Sequence, residues 1–214
     1  MCIRDSPGIA QRHRTAPDVL RGEETILYGL VRAGTGDARV CLPGTHAKWA
    51  RLSRGHLAGF RTMMTGEMFA LLGEVSILRY TVGISEWSDD DFAAAVAEAH
   101  AAPADCLGRL FGLRAGPLLF GDAAPSGSAR LSGLLIGAEI ATGMAAGDEP
   151  LCLVATGGMA ERYAAALTAL GIDFNRADAE DAVRNGLFAM AAQIWPELGL
   201  SLIHISEPTR RLVI

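Results

Sequence analysis

The residues best suited to chemistry lie between positions 40 and 49, where an apolar run predicts a buried strand and a Pro-Gly pair breaks it. The following turn offers a glycine, a hydroxyl, an imidazole and an ammonium from Gly44, Thr45, His46 and Lys48. Backbone N–H groups in such a turn, with cationic side chains beside them, bind phosphate or carboxylate oxygens. The alternative is that His46 and Lys48 are surface residues at a hairpin tip. Their occurrence together in one Gly-Thr turn favours anion binding.

A second candidate site follows residues 151–155, an apolar run that predicts another buried strand. Gly157 and Gly158 come next, and a helix is predicted from position 159 to 170 with Gly171 as its stop. Glycines let the backbone approach a ligand, and the helix N-terminus that follows favours phosphate. A tight turn between a strand and a helix would explain the two glycines equally well.

A third candidate is Asp18, which precedes residues that repeat at helical spacing as far as Val31. As a helix N-cap or first-turn carboxylate, Asp18 would be structural. As a general base, it would take the proton from an attacking hydroxyl. Three charged residues follow it, and they either contact a polar substrate or form a charged helix face: Arg21, Glu23 and Glu24.

The rest of the chain predicts the elements that position these residues. A β-hairpin is expected over residues 40–60, and a helix is expected to begin near Met68. The acidic run after Ser88 predicts a capped helix to about Ala102 rather than a metal site. Further helices are expected over residues 130–140, where Gly133 and Gly137 form a small face, and over residues 179–194.

Composition excludes several classes of protein. The 214 residues suffice for one large domain or two small ones, and half of them are hydrophobic. The formal net charge of −5 argues against a protein that coats nucleic acid or a membrane surface, and no apolar run is long enough to span a bilayer. Four cysteines without Cys-x-x-Cys spacing predict reduced thiols in the cytoplasm, with Cys41, Cys106 and Cys152 in the core.

The sequences of the two chain ends indicate that these residues do not come from the natural gene. The string ATGTGTATAAGAGACAG encodes Met-Cys-Ile-Arg-Asp and the start of a serine codon, which matches residues 1–6. Its reverse complement encodes Leu-Ser-Leu-Ile-His and the start of an isoleucine codon, which matches the chain from Leu200 onward. We therefore expect residues 1–6 and 200–214 to derive from a sequencing adapter, which leaves 7–199 as natural sequence and removes Cys2 and His204 from any site.

Several motifs within residues 7–199 resemble one known family. Residues 18–25 resemble its Asp-Val-Met-Arg-Gly-Glu-Glu-Thr, and residues 42–49 are similar to its Leu-Pro-Gly-Thr-His-Ser-Lys-Trp. Residues 60–67, with Met-Thr-Gly-Glu, and residues 131–137 continue the match. The family is 2-dehydro-3-deoxygalactonokinase, a sugar-acid kinase of the actin-like ATPase superfamily. The chain departs from the family pattern at Leu20, Ile26 and Ala47.

The resemblance implies an α/β fold of the actin-like ATPase, ribonuclease H-like type. It also implies Mg²⁺-dependent transfer of the ATP γ-phosphate to a hydroxyl of 2-dehydro-3-deoxy-D-galactonate. By analogy with other kinases of the superfamily, Asp18 would be the base, and Gly157 and Gly158 would border the adenosine. The second phosphate loop would be formed by Gly44, Thr45, His46 and Lys48.

Residues 7–17 contain no match to the first phosphate loop of the superfamily, which also helps to place Mg²⁺. We therefore expect this chain, as written, to be inactive or nearly so as a kinase. Two other interpretations stay open: a kinase for a neighbouring sugar acid on the same scaffold, and an actin-like module that binds ATP without phosphorylating a small molecule. The motif at residues 18–25 argues against the second, because a switch needs no base aimed at a substrate hydroxyl.

Overall fold

The computed structural model describes residues 8–83, 86–120, 126–145 and 147–199, which form a five-stranded sheet with helices on both faces. The expectations for residues 1–6 and 200–214, with Cys2 and His204, lie outside the described residues. The strands are β1 (Ile9–Gln11), β2 (Asp18–Leu20), β3 (Ala38–Leu42), β4 (Ala47–Ser53), β5 (His56–Met63), β6 (Leu151–Val154) and β7 (Phe174–Ala177).

Helices fill most of the remaining described sequence, and two 3₁₀ turns lie at Pro103–Asp105 and Pro196–Leu198. The helices are α1 (Glu23–Arg32), α2 (Thr65–Glu74), α3 (Arg79–Val82), α4 (Asp89–Ala101), α5 (Cys106–Phe120), α6 (Gly127–Met144), α7 (Gly157–Ala169) and α8 (Ala179–Ile194). No described helix is both long enough and apolar enough to cross a membrane.

The main sheet has the strand order β5-β4-β3-β6-β7. Strand β4 runs antiparallel to β5 and β3, whereas β3, β6 and β7 are mutually parallel. A five-stranded sheet in this order, with its second strand reversed, is the ribonuclease H-like arrangement, so the predicted fold class is confirmed.

Both faces of the sheet are buried because its strands alternate side chains between two helical layers. On one face, Val40 and Leu52 pack with Leu27 of α1 and Ala182 of α8. On the other face, Cys41, Trp49 and Leu153 pack with residues of α6 and α7 that include Ile136, Ile140, Tyr163 and Leu167. Cys41, Cys106 and Cys152 are buried free thiols, as predicted.

Helices α4 and α6 lie in close contact, and Gly133 explains how they approach. A Cβ atom at Gly133 would lie 2.5 Å from the Phe92 carbonyl oxygen and 2.7 Å from the Ala95 Cβ. Both distances are shorter than van der Waals contact, so the position requires the small face predicted from the sequence. The N-cap of α4 is also as predicted, since Ser88 Oγ accepts a hydrogen bond from the Asp91 amide.

The small β1–β2 sheet lies against β5, which forms one edge of the main sheet. Gln11 and Asp18 face each other across β1 and β2, and each bonds to β5. Gln11 Oε1 accepts from the Phe60 amide at 3.3 Å, and Asp18 Oδ2 accepts from the Thr62 amide at 2.6 Å. The two side chains therefore satisfy backbone N–H groups that an edge strand leaves unpaired.

The prediction that Asp18 caps a helix is wrong. Asp18 begins β2, whereas α1 starts at Glu23 after Gly22, whose φ of 120° suits only glycine. The helical pattern predicted from Leu20 onward therefore includes residues that belong to β2 and to the turn before α1. Helix α7 also begins at Gly157, so the two glycines form its first turn rather than a separate turn before it.

The hairpin at residues 40–60, the strand at 151–155 and the helices at 130–140 and 179–194 are confirmed within a few residues. The helix expected near Met68 begins three residues earlier, at Thr65. Gly171, with φ of 65°, ends α7 as predicted. No element was predicted at the positions of α3, α5 and β7.

Replacing Gly133 by alanine tests the contact between α4 and α6. We expect Gly133→Ala to lower the free energy of unfolding by about 1–3 kcal/mol, because the new methyl group overlaps backbone atoms of α4. Gly112→Ala in α5 is the matched control, since a Cβ there meets open space, and it should gain up to about 1 kcal/mol from helix propensity. Urea denaturation of both variants checks this; equal stability would disprove the close contact.

Candidate functional site

Two loops predicted to bind phosphate lie at the same edge of the sheet. Strands β3 and β6 are parallel neighbours in which Cys41 pairs with Leu153. The turn after β3 (residues 43–46) and the first turn of α7 after β6 therefore emerge side by side. The carboxyl ends of parallel strands are the usual ligand-binding edge of an α/β sheet.

The glycines of these two loops face open space. A Cβ atom at Gly44, Gly157 or Gly158 would have no neighbouring atom within 4 Å. Gly157 has φ of 60°, which favours glycine on backbone grounds alone, but Gly44 and Gly158 have no positive φ. Neither packing nor a positive φ requires glycine at Gly44 or Gly158, so a side chain at either position would point into the open space at this edge of the sheet.

Helix α2 supports the turn at residues 43–46 from one side. The Glu67 amide donates to the Thr45 carbonyl oxygen at 3.0 Å, and His46 Nε2 lies 2.5 Å from Glu67 Oε2. Gly66 allows this approach, because a Cβ there would lie 2.6 Å from the Gly44 carbonyl oxygen. The side chain of His46 is half-exposed and held by Glu67, so it stays at the surface of the turn.

Lys48 lies beneath the turn and is buried, with a relative exposure of 5%. Its ammonium group donates to the His46 carbonyl oxygen at 2.8 Å and forms an ion pair with Glu23 Oε1 at 3.3 Å. The alternative that Lys48 is a surface residue of a hairpin tip is therefore wrong, whereas His46 is exposed. Lys48 fixes the backbone of the turn from below and brings positive charge close to it.

Glu23 and Glu24 organise the start of α1. Glu23 Oε2 accepts from the Arg21 amide at 2.9 Å, and Glu24 Oε2 accepts from the Gly22 amide at 2.7 Å. Burial alone would raise the pKa of Glu23, but the Arg21 and Glu23 amides and Lys48 outweigh burial and lower that pKa below its ordinary value. The Arg21 residue is exposed.

Asp18 lies one strand away from Lys48. Its Oδ1 accepts from the Thr62 hydroxyl at 2.6 Å and from the Val19 amide at 2.7 Å, while Oδ2 accepts from the Thr62 amide. Thr62 is the residue of β5 that pairs with Lys48 of β4. The structure thus brings Asp18, Glu23, Lys48 and the turn to one region, although Asp18 reaches it from a strand.

Thr62 and Glu67 were not predicted to take part in the site. Thr62 binds Asp18 across 44 positions, and Glu67 binds His46 across 21, so neither contact has a local signal. Glu67 lies within the Met-Thr-Gly-Glu motif, which was the available hint. Among the described residues, no three or more histidine, cysteine, aspartate or glutamate side chains gather as metal ligands.

A ribonuclease H-like sheet that presents the turn at residues 43–46 (called the phosphate turn below, after its predicted ligand) and the Gly-Gly start of α7 at one edge is typical of the actin-like ATPase class. The comparisons with known proteins are more specific. The family model described as 2-keto-3-deoxy-galactonokinase matches residues 3–190. The chain belongs to this family.

Named relatives agree with this assignment. A Rhizobium meliloti (strain 1021) protein, named as a probable 2-dehydro-3-deoxygalactonokinase, is 45% identical over 204 residues, which cover 91% of this chain and 65% of the relative. The Escherichia coli (strain K12) 2-dehydro-3-deoxygalactonokinase is 35% identical over 187 residues, which cover 86% of this chain and 63% of the relative.

A solved structure shares the fold. The crystal structure of a Sinorhizobium meliloti protein assigned as a 2-dehydro-3-deoxygalactonokinase superposes with a TM-score of 0.83 and 43% identity. The match covers 88% of this chain and 65% of that protein. The chain therefore spans just under two thirds of the length of the relatives it matches.

The lowered pKa of Glu23 predicts how its contacts depend on pH. Because the folded state lowers this pKa, its stabilising effect is present above the ordinary value of 4.5 and is lost as pH falls through the folded value. We expect Glu23→Gln to lose roughly 1–2 kcal/mol near neutral pH, with a smaller loss below pH 4.5.

Thermal unfolding between pH 3 and 8 measures this difference. Glu180→Gln is the control, because Glu180 occupies the first turn of α8 but is exposed. A loss of stability in Glu23→Gln that is the same at every pH would contradict the assigned ion pair.

Proposed function

We propose that this chain supplies the nucleotide-binding part of a kinase that phosphorylates 2-dehydro-3-deoxy-D-galactonate with ATP. One observation carries the proposal: open glycines of the phosphate turn and of α7 lie at the same sheet edge. The family and the names of the relatives support the reaction and the substrate.

In this proposal the phosphate oxygens of ATP contact backbone N–H groups of Gly44, Thr45 and His46. The first turn of α7, at Gly157 and Gly158, borders the adenosine, and its N-terminus adds the favourable end of a helix dipole. Thr156 supports this assignment because its side chain forms no capping bond to α7. Lys48 contributes positive charge from beneath the turn. Phosphoryl transfer depends mainly on such positioning and charge neutralisation.

We propose Mg²⁺ as the accompanying ion. Mg²⁺ binds to nucleotide phosphates with one or two carboxylates and keeps several waters, so it does not need a dedicated cage of protein ligands. When bound, it would neutralise charge on the β- and γ-phosphates. A location in the cytoplasm is proposed from the cysteine usage, and Cys41, Cys106 and Cys152 are free thiols in the structure.

Asp18 is the proposed base, and Arg21, Glu23 and Glu24 the proposed substrate contacts. Asp18 would exchange its bond to the Thr62 hydroxyl for one to the substrate hydroxyl. It would then accept the hydroxyl proton as the substrate oxygen bonds to the γ-phosphorus and the bond from that phosphorus to the β,γ-bridging oxygen breaks, which releases ADP. Glu23 is a rival for this role, because its carboxylate already lies beside Lys48 under the phosphate turn. Mutation separates the two carboxylates.

Removing the open space at Gly44 tests nucleotide binding. We expect Gly44→Ala to unfold at the same temperature as the wild type, since a Cβ there touches nothing in the protein. The methyl group would instead meet the bound phosphates, and ATP affinity should fall by about tenfold or more, equivalent to about 1.4 kcal/mol. Isothermal titration calorimetry measures the affinity, with Gly112→Ala as the control.

A chimera tests the reaction, because the chain spans less than two thirds of the length of the relatives it matches. Residues 8–199 would replace the matching segment of the Rhizobium meliloti relative, and a coupled ADP assay would follow phosphorylation of the sugar acid. Asp18→Asn in the chimera should abolish turnover while ATP binding remains. If Glu23→Gln abolishes turnover and Asp18→Asn does not, the base is Glu23. A chimera that binds ATP but phosphorylates no sugar acid would overturn the proposed function.

A further inference from the structure

Glu139 of α6 is a buried carboxylate that the proposed mechanism does not use. Its relative exposure is 4%, yet side chains of two other elements donate hydrogen bonds to it. Trp49 Nε1 of β4 donates to Oε1 at 2.8 Å, and the Tyr163 hydroxyl of α7 donates to Oε2 at 2.9 Å. The Thr65 side chain at the start of α2 is also close enough to Glu139 to act on the pKa of its carboxyl, which it lowers.

Each partner lies close to a segment of the candidate site. Trp49 directly follows Lys48, the residue that holds the phosphate turn from below. Thr65 precedes Gly66 and Glu67, which contact the turn at Gly44 and Thr45. Tyr163 lies less than two helical turns after Gly157, in the helix that begins at the second loop. One carboxylate therefore connects the supports of both loops.

Close packing is incomplete where α2 and α7 approach α6. A small cavity of about 60 Å³ lies between α2, α6 and α7, and Thr65, Gly66, Met159 and Tyr163 are among its lining residues. Helices separated by a cavity lack the van der Waals contacts that normally fix their separation. The hydrogen bonds that Trp49 and Tyr163 donate to Glu139 are directional, so they can fix the relative positions of β4, α6 and α7 beside this cavity.

The energetics agree with a role beyond packing. Burial raises the pKa of Glu139, although Thr65, Trp49 and Tyr163 act to lower it. The carboxylate therefore loses much of its solvation in this site. Burial and Glu139 also raise the pKa of Tyr163 well above its ordinary value, so its hydroxyl remains a donor. A hydrophobic residue of similar volume would avoid the cost of burying a charge.

We propose that Glu139 is a positioning residue that holds the phosphate turn and the first turn of α7 at the separation that ATP requires. The inference rests on the proposed function, because it assumes that both loops contact one nucleotide. Supports of this kind hold ligand-contacting groups in place without touching the ligand.

The test compares ATP affinity with stability in the 214-residue chain. Glu139→Gln keeps the shape of the side chain but replaces one acceptor oxygen with an NH₂ group, which cannot accept a hydrogen bond from the surrounding donors. We therefore expect ATP affinity to fall on the order of tenfold. Leu134→Ala is the matched control, because Leu134 is buried in the same helix in the cluster formed with α5, away from both loops. It should lower the melting temperature and leave the ATP affinity unchanged.

Titration calorimetry with ATP would be run at a temperature where circular dichroism shows every variant folded. If Glu139→Gln does not fold, Tyr163→Phe provides the second measurement, since it removes one bond to Glu139 and should still weaken ATP binding about threefold. The positioning role would be overturned if Glu139→Gln bound ATP as tightly as the wild type, or if Tyr163→Phe did so where Glu139→Gln does not fold. An equal loss of ATP affinity in Leu134→Ala would also overturn it. Failure of the wild type to bind ATP would instead overturn the proposed function, and with it this inference.

Discussion

The parallel pairing of β3 with β6 is the constraint on which the rest of the site depends. Neighbouring parallel strands end at the same edge, so the turn after Leu42 and the helix after Val154 open into shared space. With β6 reversed, Gly157 and Gly158 would lie at the opposite edge, and the two loops could not share a ligand. The helices on both faces matter to the site because they bury this central pair.

The charges of Lys48 and Glu23 beneath the phosphate turn nearly cancel, so this ion pair would add little net attraction for an anion. Lys48 is paired with Glu23 and is buried, so its field at the surface is weakened by its partner. In the proposed site, the backbone N–H groups of the turn and of α7 would therefore supply most of the attraction for an anion, and they would need no reorganisation when it binds. The ion pair under the turn contributes rigidity, since Lys48 also holds the His46 carbonyl oxygen.

Patterns among neighbouring residues predicted most of the helices and strands. The residues that were placed wrongly depend on contacts with residues far away in the sequence. The apolar strands, the Ser88 cap and the glycine face of α6 depend on neighbouring residues, and their patterns were sufficient. Asp18 was misplaced because its partners are Gln11 in β1 and Thr62 in β5, and hydrophobic periodicity carries no information about either. Likewise, Lys48 has the sequence context of an exposed turn, and its contacts with Glu23 and with the His46 carbonyl oxygen explain how it can be buried.

The side chains that satisfy the edge of β5 have a consequence for association between molecules. An edge strand with free N–H groups can recruit a strand from another chain, and the main sheet could then grow into an intermolecular one. Gln11 and Asp18 occupy the amides of Phe60 and Thr62 that such a strand would need. Asp18 therefore covers part of this sheet edge in addition to its proposed role as a base, so a substitution that removed its carboxylate would also uncover the Thr62 amide.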